Sequence, residues 1–187
     1  LLLDGISQVT EISFASLASV GGYVNVANAH GAKVVSFPKL ESVAQYVTLR
    51  TVRSVAALDF GSLSSVGSSL SLSDLPSMTD IGMPLLKAVG GDLSLDNLAR
   101  LVRPTGLSSL ESVGSRMFIR NNPRLATLCD WSALKTIKSK KVYLSNNPNL
   151  AVMPQLVSGF AGVESGTCDH EKTTTTGAAT TTVTTTT

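Results

Sequence analysis

Few residues in this chain of 187 amino acids could carry out acid–base or nucleophilic chemistry. The two histidines, His30 and His170, are 140 residues apart, and neither lies in a recognisable metal-ligand or nucleophile pattern. His30 precedes a glycine and is interpreted as a solvated turn residue. The sequence has no phosphate-binding loop and no Gly-x-Ser-x-Gly motif, so no cofactor and no metal ion are predicted.

Three aspartates are the remaining candidates for catalysis. Asp92 and Asp96 are four residues apart, and Asp74 belongs to the repeat unit before them. Glycosidases place their two carboxylates about 5–9.5 Å apart, whereas four residues of a strand span ~13 Å. Solvated surface carboxylates are therefore favoured, and a carbohydrate-active enzyme that uses these three acids is the alternative.

Aromatic and arginine residues are better candidates for binding. Phe118 and Tyr143 are expected side by side on an exposed strand face, flanked by Arg116 and Arg120, with Lys141 nearby. Exposed aromatic residues among arginines are typical of interface hot spots. The sequence therefore predicts a ligand-binding surface, while cross-strand stacking or burial under a C-terminal cap is the alternative. A second predicted binding patch consists of Tyr23, Tyr46 and Arg50.

A sequence repeat positions these residues. Bulky apolar anchors recur at intervals of 23, 23, 23, 24 and 24 residues, at Phe14, Phe37, Phe60, Met83, Leu107 and Trp131. Leucine follows each anchor by three residues, and valine or isoleucine follows it by six. An alternating apolar pair comes ten and twelve residues after each anchor, one residue later in the last unit. Such alternation indicates a strand with one buried face.

Stacked units of this kind bury a continuous core that one unit alone cannot bury. The predicted fold is an all-β, right-handed parallel β-solenoid (a β-helix), leucine-rich-repeat-like, with about seven coils of 23–24 residues and a length of ~35 Å. Only 15% of the residues are charged, against roughly 25% in an ordinary soluble domain, which disfavours a helical bundle. The net charge of +2 argues against a nucleic-acid-binding protein. No apolar run approaches the ~20 residues of a membrane span.

Polar turn residues follow the strands of successive units. They stand fourteen residues after the anchors, one residue later in the last unit, at Asn28, Thr51, Asp74, Asn97, Asn121 and Asn146. Asn and Asp tolerate left-handed backbone and bond to neighbouring backbone groups, so a stacked polar ladder is predicted. The pairs Gly21-Gly22 and Gly90-Gly91 precede strands and are predicted to be turn residues with positive φ.

The unit Met83–Asn97 resembles the repeat of the receptor L-domain family. Asn121-Asn122-Pro123-Arg124-Leu125, followed by Cys129-Asp130-Trp131-Ser132, is similar to another segment of that family. The resemblance covers roughly residues 1–170 and implies an L domain in place of an ordinary leucine-rich-repeat horseshoe. The family includes ligand-binding domains of insulin- and EGF-type receptors and fungal GPI-anchored cell-wall proteins. With two cysteines the chain is more similar to the cysteine-poor fungal members, so growth-factor binding is not implied.

Three segments are predicted. Residues 1–153 form the solenoid, which is expected to begin partway through a coil, and residues 154–172 form a C-terminal cap. Residues 173–187, of which 11 are threonine, form a disordered or O-glycosylated stalk. The resemblance to surface proteins implies a disulfide between Cys129 and Cys168, with two buried thiols in a reducing compartment as the alternative.

The predicted function is a non-catalytic, extracellular recognition or adhesion domain of a cell-surface or cell-wall glycoprotein. Its partner would be a protein or a glycan bound through the strand face, with no nucleic acid and no membrane span in this chain. A GPI anchor would need a hydrophobic tail after Thr187. A structural component of a cell wall or coat and the carbohydrate-active enzyme stay open as alternatives.

Overall fold

A computed structural model of the chain describes residues 1–151. Its strands, numbered along the chain, are β1 (Leu2–Asp4), β2 (Glu11–Ser13), β3 (Ser19–Val20), β4 (Val24–Ala27), β5 (Val34–Ser36), β6 (Ser42–Val43), β7 (Val47–Arg50), β8 (Leu58–Asp59), β9 (Ser65–Val66), β10 (Leu70–Ser73), β11 (Ala88–Val89), β12 (Leu93–Asp96), β13 (Ser112–Val113), β14 (Met117–Arg120), β15 (Thr136–Ile137) and β16 (Val142–Ser145). One 3₁₀ turn spans Thr105–Leu107. Within residues 1–151, no helix is long and apolar enough to cross a bilayer. The predicted cap (154–172) and stalk (173–187) lie outside the described residues.

The strands stack into three parallel sheets, so that each coil contributes to more than one side of the molecule. The largest sheet has seven strands in the order β1-β4-β7-β10-β12-β14-β16. The second has six strands (β15-β13-β11-β9-β6-β3) and the third has three (β2-β5-β8). Seven stacked strands delimit six complete turns. The all-β parallel solenoid predicted from the sequence is therefore confirmed, with about six turns in place of about seven.

Strand pairing in the largest sheet follows the sequence repeat. Each alternating apolar pair lies directly above the pair of the preceding coil, as in Leu70 opposite Leu93 and Met117 opposite Val142. The extra residue of the last unit is accommodated in the turn before β16, where Lys140 has a φ of 54°. The outward-facing residues are consequently stacked in register as well.

Apolar side chains from successive coils form one continuous core. Phe37 and Phe60 are fully buried with ring centres 4.9 Å apart, and the half-buried Phe14 stacks on Phe37 at 5.2 Å. Trp131 is also fully buried, and its indole Nε1 donates a hydrogen bond to the Pro104 carbonyl at 3.2 Å. Since burying such a side chain contributes about 1.5–3 kcal/mol, this core is the main source of stability.

The predicted polar ladder is confirmed at the turn after the strands of the largest sheet. Left-handed backbone with φ of 52–57° occurs at Asn28, Thr51, Asp74, Asn97, Asn121 and Asn146. Side chains also join neighbouring coils, because Asn97 donates to Asp74 and Asn146 donates to Asn121, each at 2.8 Å. Thr51 is the one β-branched residue among these six positions, and β-branched residues rarely adopt this conformation.

A second, inner pair of asparagines replaces backbone pairing where the strands end. The fully buried Asn122 accepts a hydrogen bond from the Leu98 N–H at 2.9 Å and donates to the Leu95 carbonyl at 3.1 Å. Asn147 repeats this one coil later, accepting from the Asn122 N–H at 3.0 Å and donating to the Ile119 carbonyl at 2.7 Å. Buried backbone groups need partners, and these amides supply them.

The prediction for the glycine pairs was wrong. Positive φ is absent from both of them, Gly21-Gly22 and Gly90-Gly91. At Gly90 the reason for glycine is close approach, because a Cβ there would overlap the carbonyl oxygen of Gly67 in the preceding coil. Coil-to-coil spacing, which is set by strand pairing, therefore excludes a side chain at this position.

One of the two cysteines lies in the part that the structure describes. Cys129 is disulfide-bonded and half-buried against the core. Cys168, its predicted partner, lies outside the described residues, so the pairing of the two stays a prediction.

Candidate functional site

The outward face of the seven-stranded sheet carries the residues predicted to bind a ligand. Side chains alternate along each strand, so those between the buried apolar residues point away from the core. On β10 and on β12 they include small serines, and on β14 and β16 they are large. The C-terminal end of this face is therefore chemically different from its middle.

Phe118 and Tyr143 form the centre of this end. They are direct register partners on β14 and β16, with ring centres 4.8 Å apart and planes inclined by 9°. Both side chains are half-buried. The two rings stand on neighbouring strands of a parallel pair, and Tyr143 belongs to the last strand of the sheet.

Two arginines lie over the Phe118 ring, on the face opposite Tyr143. The guanidinium carbons of Arg116 and Arg120 lie 5.2 and 5.1 Å from its ring centre. Both arginines reach toward β12, where Arg116 pairs with Asp92 at 2.7 Å and Arg120 pairs with Asp96 at 3.4 Å. Since β12 and β16 flank β14 on opposite sides, the two guanidinium groups and Tyr143 cover opposite faces of Phe118. We call Arg116, Phe118, Arg120 and Tyr143 the aromatic–arginine patch.

The ion pair between Asp92 and Arg116 is the best-formed polar contact of the patch. Arg116 donates to Asp92 through its side chain at 2.7 and 3.2 Å and through its backbone N–H at 2.8 Å. The Arg116 side-chain hydrogen bonds hold the pKa of the Asp92 carboxyl below its ordinary value, against the opposite effect of partial burial. The carboxyl consequently stays ionised in ordinary buffers.

The three aspartates considered for catalysis are divided among different partners. Asp92 and Asp96 bind separate arginines, and Asp74 accepts a hydrogen bond from Asn97 at 2.8 Å. A glycosidase acid needs a raised pKa to stay protonated, whereas that of Asp92 is lowered. The signal that could have found these ion pairs is the 24-residue interval from Asp92 to Arg116 and from Asp96 to Arg120.

The second predicted patch is only partly assembled. Tyr23 and Tyr46 stack with ring centres 4.7 Å apart and planes inclined by 4°. Arg50 is exposed at the far end of β7, four residues from Tyr46, which is ~13 Å along a strand. Within the described residues no ion pair joins Arg50 to a carboxylate. We call Tyr23 and Tyr46 the tyrosine pair.

Sequence reasoning named Lys141 beside the aromatic–arginine patch but missed the cluster of cations to which it belongs. Lys138, Lys140 and Lys141 are exposed on the turn between β15 and β16, and we call them the lysine turn. The Lys141 carbonyl accepts the Met117 N–H at 3.0 Å, which places Lys141 next to Arg116. A count of charges along the sequence could have revealed this cluster.

Elsewhere the described surface offers neither a metal site nor a ligand pocket with binding chemistry of its own. Across residues 1–151 no group of three potential ligands could hold a metal ion. An open groove of about 380 Å³ on another side of the solenoid is lined by Asp59 and Asp80, among others. Their carboxylates accept hydrogen bonds from the backbone N–H groups of Gly61 and Gly82, so they shape turns.

Comparison of the chain with protein-family models, with curated proteins and with solved structures found no match.

Proposed function

We propose that this chain is a non-catalytic recognition or adhesion domain that binds a protein or glycan partner through the outward face of its largest sheet. The aromatic–arginine patch carries the proposal. Its rings stack at 4.8 Å and its guanidinium groups are tied to carboxylates, so the side chains are ordered before any partner arrives. Ordering such side chains on binding costs about 0.5–1.5 kcal/mol each, which a preformed patch avoids.

The same proposal includes that the domain does not catalyse a reaction. The lowered pKa of Asp92 and the separate partners of Asp92, Asp96 and Asp74 support it. The alternative of a carbohydrate-active enzyme predicts release of reducing sugar from a polysaccharide, lost in Asp92→Asn.

An extracellular location and membership of the receptor L-domain family are further parts of the proposal. The motif residues Met83–Asn97 and a solenoid closed by three sheets support the family resemblance over an open horseshoe. The disulfide at Cys129 and the threonine-rich residues 173–187 support a cell-surface or cell-wall location, with O-glycans and a GPI anchor as part of that expectation.

A structural role in a cell wall or coat is the second candidate. Stacked rings contribute about 0.5–1.5 kcal/mol beyond the area they bury, so the patch could serve the sheet alone. The ion pairs of Arg116 and Arg120 favour this candidate, because both cations already have partners on the same face.

Two matched double variants separate these candidates. The purified protein is screened against glycans and against cell-surface extracts, together with Phe118→Ala/Tyr143→Ala and Tyr23→Ala/Tyr46→Ala. Each variant removes one stacked aromatic pair of the same sheet. Loss of at least about 30-fold in affinity for a hit in the first variant, at an unchanged circular dichroism spectrum, is expected of a hot spot.

The same two variants can also contradict the proposal. Equal binding by the wild type and by the Phe118→Ala/Tyr143→Ala variant would show that this patch is not the recognition surface. A fall in melting temperature without loss of any ligand would favour the structural role.

A further inference from the structure

Charge is distributed unevenly along the solenoid. Residues 1–97 contain five lysines and arginines against eight aspartates and glutamates. Residues 98–151 contain nine lysines and arginines against two acids. The overall charge of +2 conceals this difference. Because coils follow one another along the solenoid axis, one end of the described structure is strongly cationic and the other is weakly anionic.

The cations at this end differ in whether they have partners. Arg103, Arg116, Arg120 and Lys135 each form an ion pair with a carboxylate. The lysine turn forms no ion pair with any residue from 1 to 151. Its three lysines lie within four consecutive residues, on the turn between the end of β15 and the start of β16. This turn therefore concentrates three cations without an ion pair to any of residues 1–151.

We propose that the lysine turn, together with the adjoining aromatic–arginine patch, binds a sulfated polysaccharide. This inference rests on the proposed recognition function and names the class of ligand for it. Sulfated polysaccharides carry anions at high linear density, which complements three exposed lysines within four consecutive residues. Lysine clusters of this kind are typical of heparin-type surfaces.

The surroundings of the lysine turn disfavour a protein as the partner. Protein interfaces are depleted of lysine at their centres and enriched in buried apolar contacts. Here three exposed lysines border the aromatic rings, which are themselves only half-buried. A polysaccharide, which is polar along its whole length, needs no apolar pocket.

The surroundings of Phe118 disfavour the stacking of a nucleic-acid base on its ring. Proteins that bind single strands stack bases on aromatic faces. One face of Phe118 is covered by Tyr143, and the two guanidinium groups cover the other. No open face of Phe118 is left for a base.

The chain offers a matched pair of triple variants for the test. Lys138→Gln/Lys140→Asn/Lys141→Gln removes the lysine turn, and asparagine suits the positive φ of 54° at position 140. The control removes three exposed lysines from the anionic part of the solenoid, with Lys33→Gln, Lys39→Gln and Lys87→Gln. Both variants lose the same number of positive charges.

Heparin is the probe, with binding of the full chain measured by calorimetry at several salt concentrations. The lysine-turn variant should bind heparin at least about tenfold more weakly than the control variant, and its plot of log affinity against log salt should be shallower by about two to three. Equal weakening in both variants would overturn the proposal, because it would show a nonspecific effect of net charge.

Three competing ligands complete the experiment. Tighter binding of poly-glutamate or of single-stranded DNA than of heparin would overturn the polysaccharide as the ligand. Tighter binding of the unsulfated, carboxylated polymer hyaluronan would overturn the choice of sulfate.

The Phe118→Ala/Tyr143→Ala variant distinguishes this inference from the proposed function. Heparin binding that depends on the lysine turn but survives in this variant supports the lysine turn and contradicts a role for the aromatic–arginine patch. Failure of heparin to bind the wild type, while another ligand binds and is lost in the aromatic variant, leaves the proposed function standing and overturns the inference.

Discussion

Replacing Asn122 with alanine should remove both hydrogen bonds that its side chain makes in the interior of the solenoid. The amide is fully buried and satisfies the Leu98 N–H at 2.9 Å and the Leu95 carbonyl at 3.1 Å. Alanine leaves both backbone groups buried without these partners. Each such group costs about 1–3 kcal/mol, so the free energy of unfolding should fall by about 2–6 kcal/mol.

Thermal unfolding followed by circular dichroism measures this loss. For a chain of this size, a destabilisation of about 2–6 kcal/mol corresponds to a fall in Tm of roughly 4–24 °C. Two asparagines serve as graded controls. Asn147 makes the same two kinds of bond but is half-buried, and Asn149 is exposed with one bond to the Pro123 carbonyl at 2.7 Å.

The order of the three alanine variants tests the reasoning more sharply than any single value. Water can replace the lost bonds in proportion to exposure, so the loss should decrease from Asn122 to Asn147 to Asn149. The Asn149→Ala change should stay within about 0.5 kcal/mol of the wild type. If Asn122→Ala costs no more than Asn149→Ala, the buried amide does not have the stabilising role assigned to it.

Two further predictions concern a glycine and an ion pair. Gly82→Ala should destabilise the solenoid far more than Gly5→Ala, as measured by urea unfolding. Both glycines have positive φ, but only at Gly82 would a Cβ overlap the Leu58 carbonyl oxygen. Equal losses of stability in the two variants would mean that φ alone matters. The Asp92 carboxyl should titrate below its ordinary pKa of 3.8 in a carbon-detected NMR titration and return toward that value in Arg116→Gln. Because the folded-state pKa is lowered, the stabilisation by this pair is complete above the unfolded-state pKa and is lost as pH falls through the folded-state pKa. An unchanged pKa of Asp92 in Arg116→Gln would contradict the role of Arg116 in lowering it.

Much of the fold could be predicted because each coil of a solenoid repeats the same local arrangement of strands and turns. The apolar anchors and the alternating pairs each recur at one interval, and strands of one unit must lie on strands of the next. Stacking of Phe118 on Tyr143 followed from this register alone. Turn count was less predictable, because it depends on where complete turns begin and end.

The candidate site could be predicted in its residues but not in its contacts. Arg116 and Arg120 were expected to flank an aromatic pair, and the structure shows that both are also bound to aspartates of the preceding coil. A repeat places side chains on a common face, but it does not specify which rotamer each one adopts. That choice depends on the space left by small neighbours such as Ser94, the register partner of Phe118.

The sequence by itself determined the period, the buried and exposed faces of each strand, and the left-handed turns, because all three depend on local chemistry repeated at one interval. Only the tertiary structure decided that Asn122 is buried, that Gly90 admits no side chain, and that the lysine turn, beside paired arginines, has no ion pair within residues 1–151. These features depend on the distance between coils and on the side-chain rotamers across it, and neither is encoded at a single position of the repeat.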